Sequence, residues 1–112
     1  MVDLASLTAF GPACPQQGNR YAPQSEDCLF LNIWTPDPDS RAARPVMVYF
    51  HGGAYNWGSV TDPVTQGPYL AASEDVVVVT VNHRLNMFGY GWLAPFGERF
   101  RDSGNLGQLD LI

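Results

Sequence analysis

Six Lys and Arg stand against eleven Asp and Glu, a formal charge of −5, and the cations are scattered singly. A chain that tracks a phosphate backbone needs clustered cations, so nucleic acid is not expected as a partner. No apolar run approaches the roughly 20 residues that span a bilayer. The opening stretch MVDLASLTAFGPACPQQ lacks the charged and apolar blocks of a secretory signal, which means little if the natural N-terminus lies upstream. With no CxxC pair and no histidine cluster, no metal site is expected, and neither repeats nor low-complexity tracts occur. The two cysteines, Cys14 and Cys28, enclose a segment rich in Pro, Gly, Gln and Asn. A bridge between them would contribute roughly 3 kcal/mol on the chain-entropy model. Two reduced thiols in a cytosolic protein are about as common, so composition leaves open an extracellular or a cytoplasmic location.

What is present suits one small domain: 112 residues, 46% of them hydrophobic. Residues 1–27, with Pro12, Pro15 and Pro23, have no helical or alternating period and read as an irregular surface segment. CLFLNIW, residues 28–34, reads as a strand ended by the loop TPDPDS. RPVMVYF, residues 44–50, is a second strand, apolar at nearly every position as suits a strand covered on both faces, and it runs into His51. A short helix is expected over residues 68–73. VVVVTV, residues 76–81, is a third strand, and its run of valines places it centrally, because such a run on an edge would invite aggregation. Residues 82–104 carry too many glycines and aromatics for a helix and read as a long packed loop; NLGQLDLI then begins an amphipathic pattern. Strands separated by crossover segments imply an α/β protein with a mostly parallel sheet, of which only the beginning is present.

HGGAYNWG, residues 51–58, leaves the carboxyl end of the second strand, where open α/β sheets form their binding crevice. Glycines let main chain turn with its N–H groups bare, and a cluster of bare donors binds an anion. If that anion is the oxygen of a tetrahedral acyl intermediate, each donor contributes roughly 2.7 to 4 kcal/mol to the transition state. A glycine loop that merely packs is the plainer alternative.

The order and spacing of SEDCLFLNIWTP, VMVYFHGGAYNWGS, VVVVTVNHRL, FGYGWLAP and GNLGQLD resemble the type-B carboxylesterase family, α/β-hydrolases that include carboxylesterases, para-nitrobenzyl esterases and cholinesterases. The resemblance runs from about Phe10 to Ile112. It implies that Gly53 and Ala54 supply oxyanion-hole amides, that Gly52 allows the close turn, and that a third amide follows the nucleophilic serine. It implies a Cys14–Cys28 disulfide, a structural rather than catalytic His51, and no cofactor. His83 stands where the family usually has tyrosine and is not promoted to a base. Glu26 and Arg84 look like buried or partly buried ion-pair residues; Trp34, Trp57 and Trp92 look like core or gorge packing, and Tyr55 and Trp57 are candidates for lining an acyl pocket.

The family's serine sits in G-x-S-x-G, and no such motif occurs in these residues; Ser25, Ser59 and Ser103 lack the flanking glycines. Residues 1–112 therefore read as a partial α/β-hydrolase domain that stops before the nucleophile elbow. Alone it is expected to be inactive and, with an unpaired apolar sheet edge, poorly folded or aggregated. The implied function is that of the N-terminal part of a serine carboxylesterase acting on small-molecule carboxylic esters through an acyl-enzyme. A non-catalytic cholinesterase-like interaction module and an inactive fragment are the alternatives.

Overall fold

The computed structural model describes residues 9–65 and 67–112. Residues 1–8, part of the irregular leading segment expected from the sequence, and Gln66 lie outside that description. Three strands form one sheet in the order β1-β3-β2: β1 is Leu31–Trp34, β2 is Val46–Phe50 and β3 is Val77–Val81. β1 runs antiparallel to β3, with Leu31 opposite Val81 and Ile33 opposite Val79. β2 runs parallel to β3, with Val46 opposite Val77 and Phe50 opposite Val81. The valine-rich strand is thus the central one, as its composition requires. The first strand is shorter than expected, beginning at Leu31 rather than Cys28.

Parallel neighbours cannot be joined by a hairpin, so the chain between β2 and β3 makes a crossover. It holds the glycine loop, a 3-10 turn at Pro63–Thr65 and helix α1, Pro68–Glu74. Pro68 occupies the first turn of α1, where a missing N–H costs nothing. The helix ends at Asp75, in left-handed conformation with φ 52°, whose N–H returns to the Ala71 carbonyl. Its N-terminal end lies close on the sheet: a Cβ on Gly67 would meet a methyl of Val78 at 2.5 Å. That covered face carries Val78 and Thr80, both buried.

Residues 82–104 depart from the loop expected of them. They contain helix α2, Asn86–Tyr90, followed by 3-10 turns at Ala94–Phe96, Glu98–Phe100 and Ser103–Asn105, and the chain closes with helix α3, Leu106–Leu109. Gly89 serves α2 instead of breaking it, because a Cβ there would stand 2.5 Å from the Arg84 carbonyl. The buried apolar cluster is small, Cys14, Cys28 and Leu85, with Cys14 and Cys28 joined in a disulfide. Arg84 meets Asp110, its Nη2 donating to Oδ1 at 2.6 Å and its backbone N–H to Oδ2 at 2.9 Å, which ties the end of the chain to the segment after β3. Glu26, in contrast, is exposed and makes no ion pair among the described residues. Trp57 and Trp92 are half or more exposed and are not core residues. No helix among the described residues is long and apolar enough to cross a membrane.

Cross-strand partners share a face, so the register aligns Leu31 and Ile33, Val77, Val79 and Val81, and Val46, Val48 and Phe50 on the face opposite Val78. This face is apolar throughout, yet Ile33 is 60% exposed and Val48 53%. All five β2 residues are exposed, against the expectation of a strand covered on both sides. Monomers seldom leave an apolar patch of more than a few hundred Å² uncovered. The 112-residue chain is accordingly expected to self-associate, and glutamate at Val48 (Val48→Glu) to reduce the associated fraction in sedimentation velocity. A monomer at every concentration, melting in one sharp two-state step, would contradict this.

Candidate active-site loop

The parallel ladder sets the geometry. Because β2 and β3 point the same way, His51 at the end of β2 and His83 just after β3 emerge side by side. Their rings stack with centroids 4.4 Å apart and planes 16° from parallel, both buried. The His51 Nδ1 lies 2.9 Å from the Gly52 carbonyl, and the His83 Nε2 lies 3.4 Å from the His51 carbonyl. These contacts make both histidines part of the loop's footing. Burial pushes the His51 imidazole below its usual value; the bond to the Gly52 carbonyl works the other way, and the neighbouring His83 adds to the lowering.

From this footing the chain folds over itself. The Gly53 carbonyl accepts the N–H of Asn56 at 3.0 Å and of Trp57 at 3.2 Å. Gly53 has φ 133°, and a Cβ there would collide with the Trp57 carbonyl. Gly58, at φ 124°, lies against the His51 ring so closely that a Cβ would strike Nδ1. No other residue fits at either point. Ala54 and Tyr55 follow with φ 53° and 64°, two successive non-glycine residues in left-handed conformation. Strained backbone of this kind costs of order 1–3 kcal/mol per residue and persists only where the surroundings enforce it.

The result is a crest whose carbonyl at Gly53 turns inward while the N–H groups of Gly53 and Ala54 have no acceptor among the described residues. An open cleft of about 340 Å³ includes Tyr49, His51, Gly52, Gly53 and Trp57 in its walls. A second, of about 680 Å³, is lined by Trp57 together with Gln17, Met87 and Phe88. Of the two pocket candidates, Trp57 borders both clefts, whereas Tyr55 lines neither and packs edge-on against Tyr90 at 5.0 Å. Sequence reading missed Gln16 and Asn86, which contact the crest from outside. Only an amide beside Cys14 and another after the third strand hinted at them, and neither has a period to betray it.

The short sheet with its glycine crest is part of an α/β-hydrolase fold, as the family match and the superimposed carboxylesterases show. The chain belongs to the carboxylesterase family, whose model matches residues 3–112. It is 43% identical over 115 aligned residues to the para-nitrobenzyl esterase of Bacillus subtilis (strain 168), covering 96% of this chain and 23% of that protein. Among solved structures, a carboxylesterase of Geobacillus stearothermophilus superimposes with TM-score 0.82 at 46% identity, covering 91% of this chain and 21% of the other. An esterase from Clostridium hathewayi, described as able to hydrolyse aliphatic aromatic polyesters, does so with TM-score 0.87 at 45% identity, covering 92% and 23%. The chain thus spans less than a quarter of the length of these relatives.

The charges beneath the crest respond to acid in two stages. Asp110 is driven up by burial, but the hydrogen bonds and charge of Arg84, with a contribution from His83, outweigh this and hold its carboxyl below the ordinary range. A buried histidine with a lowered folded value stabilises above its unfolded value near 6.5, and that stability is lost as pH falls from there through the folded value. A carboxyl with a depressed folded value stabilises above about 3.9 and loses that contribution as pH falls through its lower folded value. Denaturant unfolding against pH is therefore expected to show both losses. His51→Gln flattens the first and Asp110→Asn removes the second; unchanged profiles would refute the assignments.

Proposed function

We propose that the intact protein is a serine carboxylesterase and that this chain is one partial α/β-hydrolase domain lying ahead of the nucleophile elbow. The observation that carries the reading is the pair of N–H groups at Gly53 and Ala54 that have no acceptor among the described residues, on a crest that leaves the carboxyl end of β2. In the reaction, a serine outside these residues attacks the carbonyl of a small-molecule carboxylic ester, and charge gathers on the carbonyl oxygen. Gly53 and Ala54 donate to that oxygen from fixed positions, at no reorganisation cost when the charge forms. Gly52 supports the turn, and the residue after the serine adds a third amide. Collapse of the intermediate releases the alcohol, and water then frees the acid from the acyl-enzyme. No cofactor enters this chemistry. Trp57 is the stronger candidate for the pocket wall, since it borders the cleft that Gly52 and Gly53 line; Tyr55 serves by packing on Tyr90.

Ala54 in place of a third glycine retains the donor, since its positive φ is already accommodated. In the full-length protein, Ala54→Gly is expected to keep kcat on para-nitrophenyl acetate within about 3-fold, whereas Gly53→Ala lowers it about 100-fold or more by displacing a donor. The 112-residue chain alone is expected to hydrolyse nothing above the buffer rate. A full-length protein inert toward para-nitrophenyl esters, or a Gly53→Ala variant with parental turnover, would defeat the esterase reading and favour the non-catalytic module.

A further inference from the structure

Besides its own backbone bonds, the crest from Gly53 to Gly58 is held by two residues from elsewhere, by the side-chain amide of Gln16 and the backbone N–H of Asn86. Gln16 reaches it from the leading segment: its Oε1 accepts the Gly58 N–H at 2.9 Å and its Nε2 donates to the Gly58 carbonyl at 2.8 Å. One primary amide offers both a donor and an acceptor, so it engages both backbone groups of Gly58 as a neighbouring strand would. The same Nε2 donates to the Cys14 carbonyl at 3.0 Å, and the Gln16 N–H donates to Gln24 Oε1 at 2.8 Å, which fixes the clamp to its own segment. Asn86 works at the middle of the crest. Its N–H donates to the Tyr55 carbonyl at 2.6 Å and its Nδ2 to the Pro15 carbonyl at 2.7 Å. Both connections end on Cys14–Gln16, and Cys14 is bridged to Cys28 in the buried cluster with Leu85.

The geometry points to Gln16 as a positioning residue of the oxyanion loop: with Asn86 it ties the crest to the disulfide-anchored segment and so holds the Gly53 and Ala54 N–H groups in place. The inference rests on the esterase reading above. Gln16 does not touch either donor; it acts through Gly58 and the turn in which Asn56 and Trp57 close on the Gly53 carbonyl. Ala54 and Tyr55 sit in strained conformation, so the crest has a reason to relax once released. A donor displaced by about 1 Å is enough to cost on the order of 100-fold in rate.

The test compares the full-length protein carrying this segment with its Gln16→Met and Gln16→Glu variants, with para-nitrophenyl acetate as the probe. Gln16→Met keeps the length and removes both bonds; Gln16→Glu keeps an acceptor for the Gly58 N–H and loses the donor. The expected result is a kcat lowered about 10- to 100-fold in Gln16→Met with KM changed less than about 3-fold, and Gln16→Glu in between. Tyr21→Phe removes a different tie of the same segment, the 2.7 Å bond to Asp62, and is expected to lower Tm while keeping kcat. Parental kcat in Gln16→Met, or an equal loss of kcat in Tyr21→Phe, overturns the inference.

A second readout needs no catalysis. By hydrogen exchange, the Gly58 amide of the unsubstituted protein is expected to exchange at least about 10-fold more slowly than that of an unfolded peptide. Exchange at the unfolded rate overturns the tether even where Gln16→Met fails to fold. A protein that protects Gly58 but hydrolyses no ester sinks the esterase reading while upholding the tether.

Discussion

The parallel pairing of β2 with β3 is the constraint on which the other features depend. It brings the carboxyl ends of both strands to one edge, so that His51 and His83 meet face to face. The crest therefore begins on a buried footing rather than in solvent. It also forces a crossover, and that crossover supplies the chain from which the crest is made. An antiparallel hairpin at the same place would have needed only a short turn and could not have raised Gly53 and Ala54 above the sheet.

Beyond the sheet, much of the structure is held by side-chain amides where regular structure is absent. Asn82 takes the Val60 N–H on its Oδ1 at 3.1 Å and reaches the Pro12 carbonyl with Nδ2 at 3.3 Å. The Gln16 amide engages Gly58 of the crest, and the Asn86 side chain joins its own segment to the Pro15 carbonyl. Buried backbone groups must find partners, and in segments this irregular the short polar side chains provide them. The disulfide matters in this setting because its anchored segment is a common end of these connections. By contrast, the apolar face of Leu31, Ile33, Val48 and Phe50 is left about half exposed by the described residues.

Legibility differed by element for physical reasons. The valines of β3 announced a central strand because only burial between neighbours makes such a run safe, and α1 was readable from Pro68 at its start. The helix α2 was hidden by Gly89 and Tyr90, since glycine propensity speaks against a helix and the carbonyl of Arg84, which makes glycine necessary there, is visible only in space. Val46–Phe50 lies in the run read as covered on both faces and is about half exposed, because apolar composition records what a strand requires and not what lies beside it. Glu26 was read as an ion-pair residue and points to solvent; Arg84 found its partner in Asp110, distant in sequence.

By itself the sequence determined the strands and the glycines of the crest, because apolar β-branched runs and glycines express local backbone preferences that each residue carries with it, and its ordered motifs determined the family. Tertiary structure alone decided that two histidines stack at the foot of the crest, that its N–H groups at Gly53 and Ala54 find no acceptor among the described residues, and that Gln16 and Asn86 bond to it. Those facts depend on which residues the ladder register and the crossover bring within hydrogen-bonding distance, and hydrogen bonds between segments that far apart leave no period in the chain.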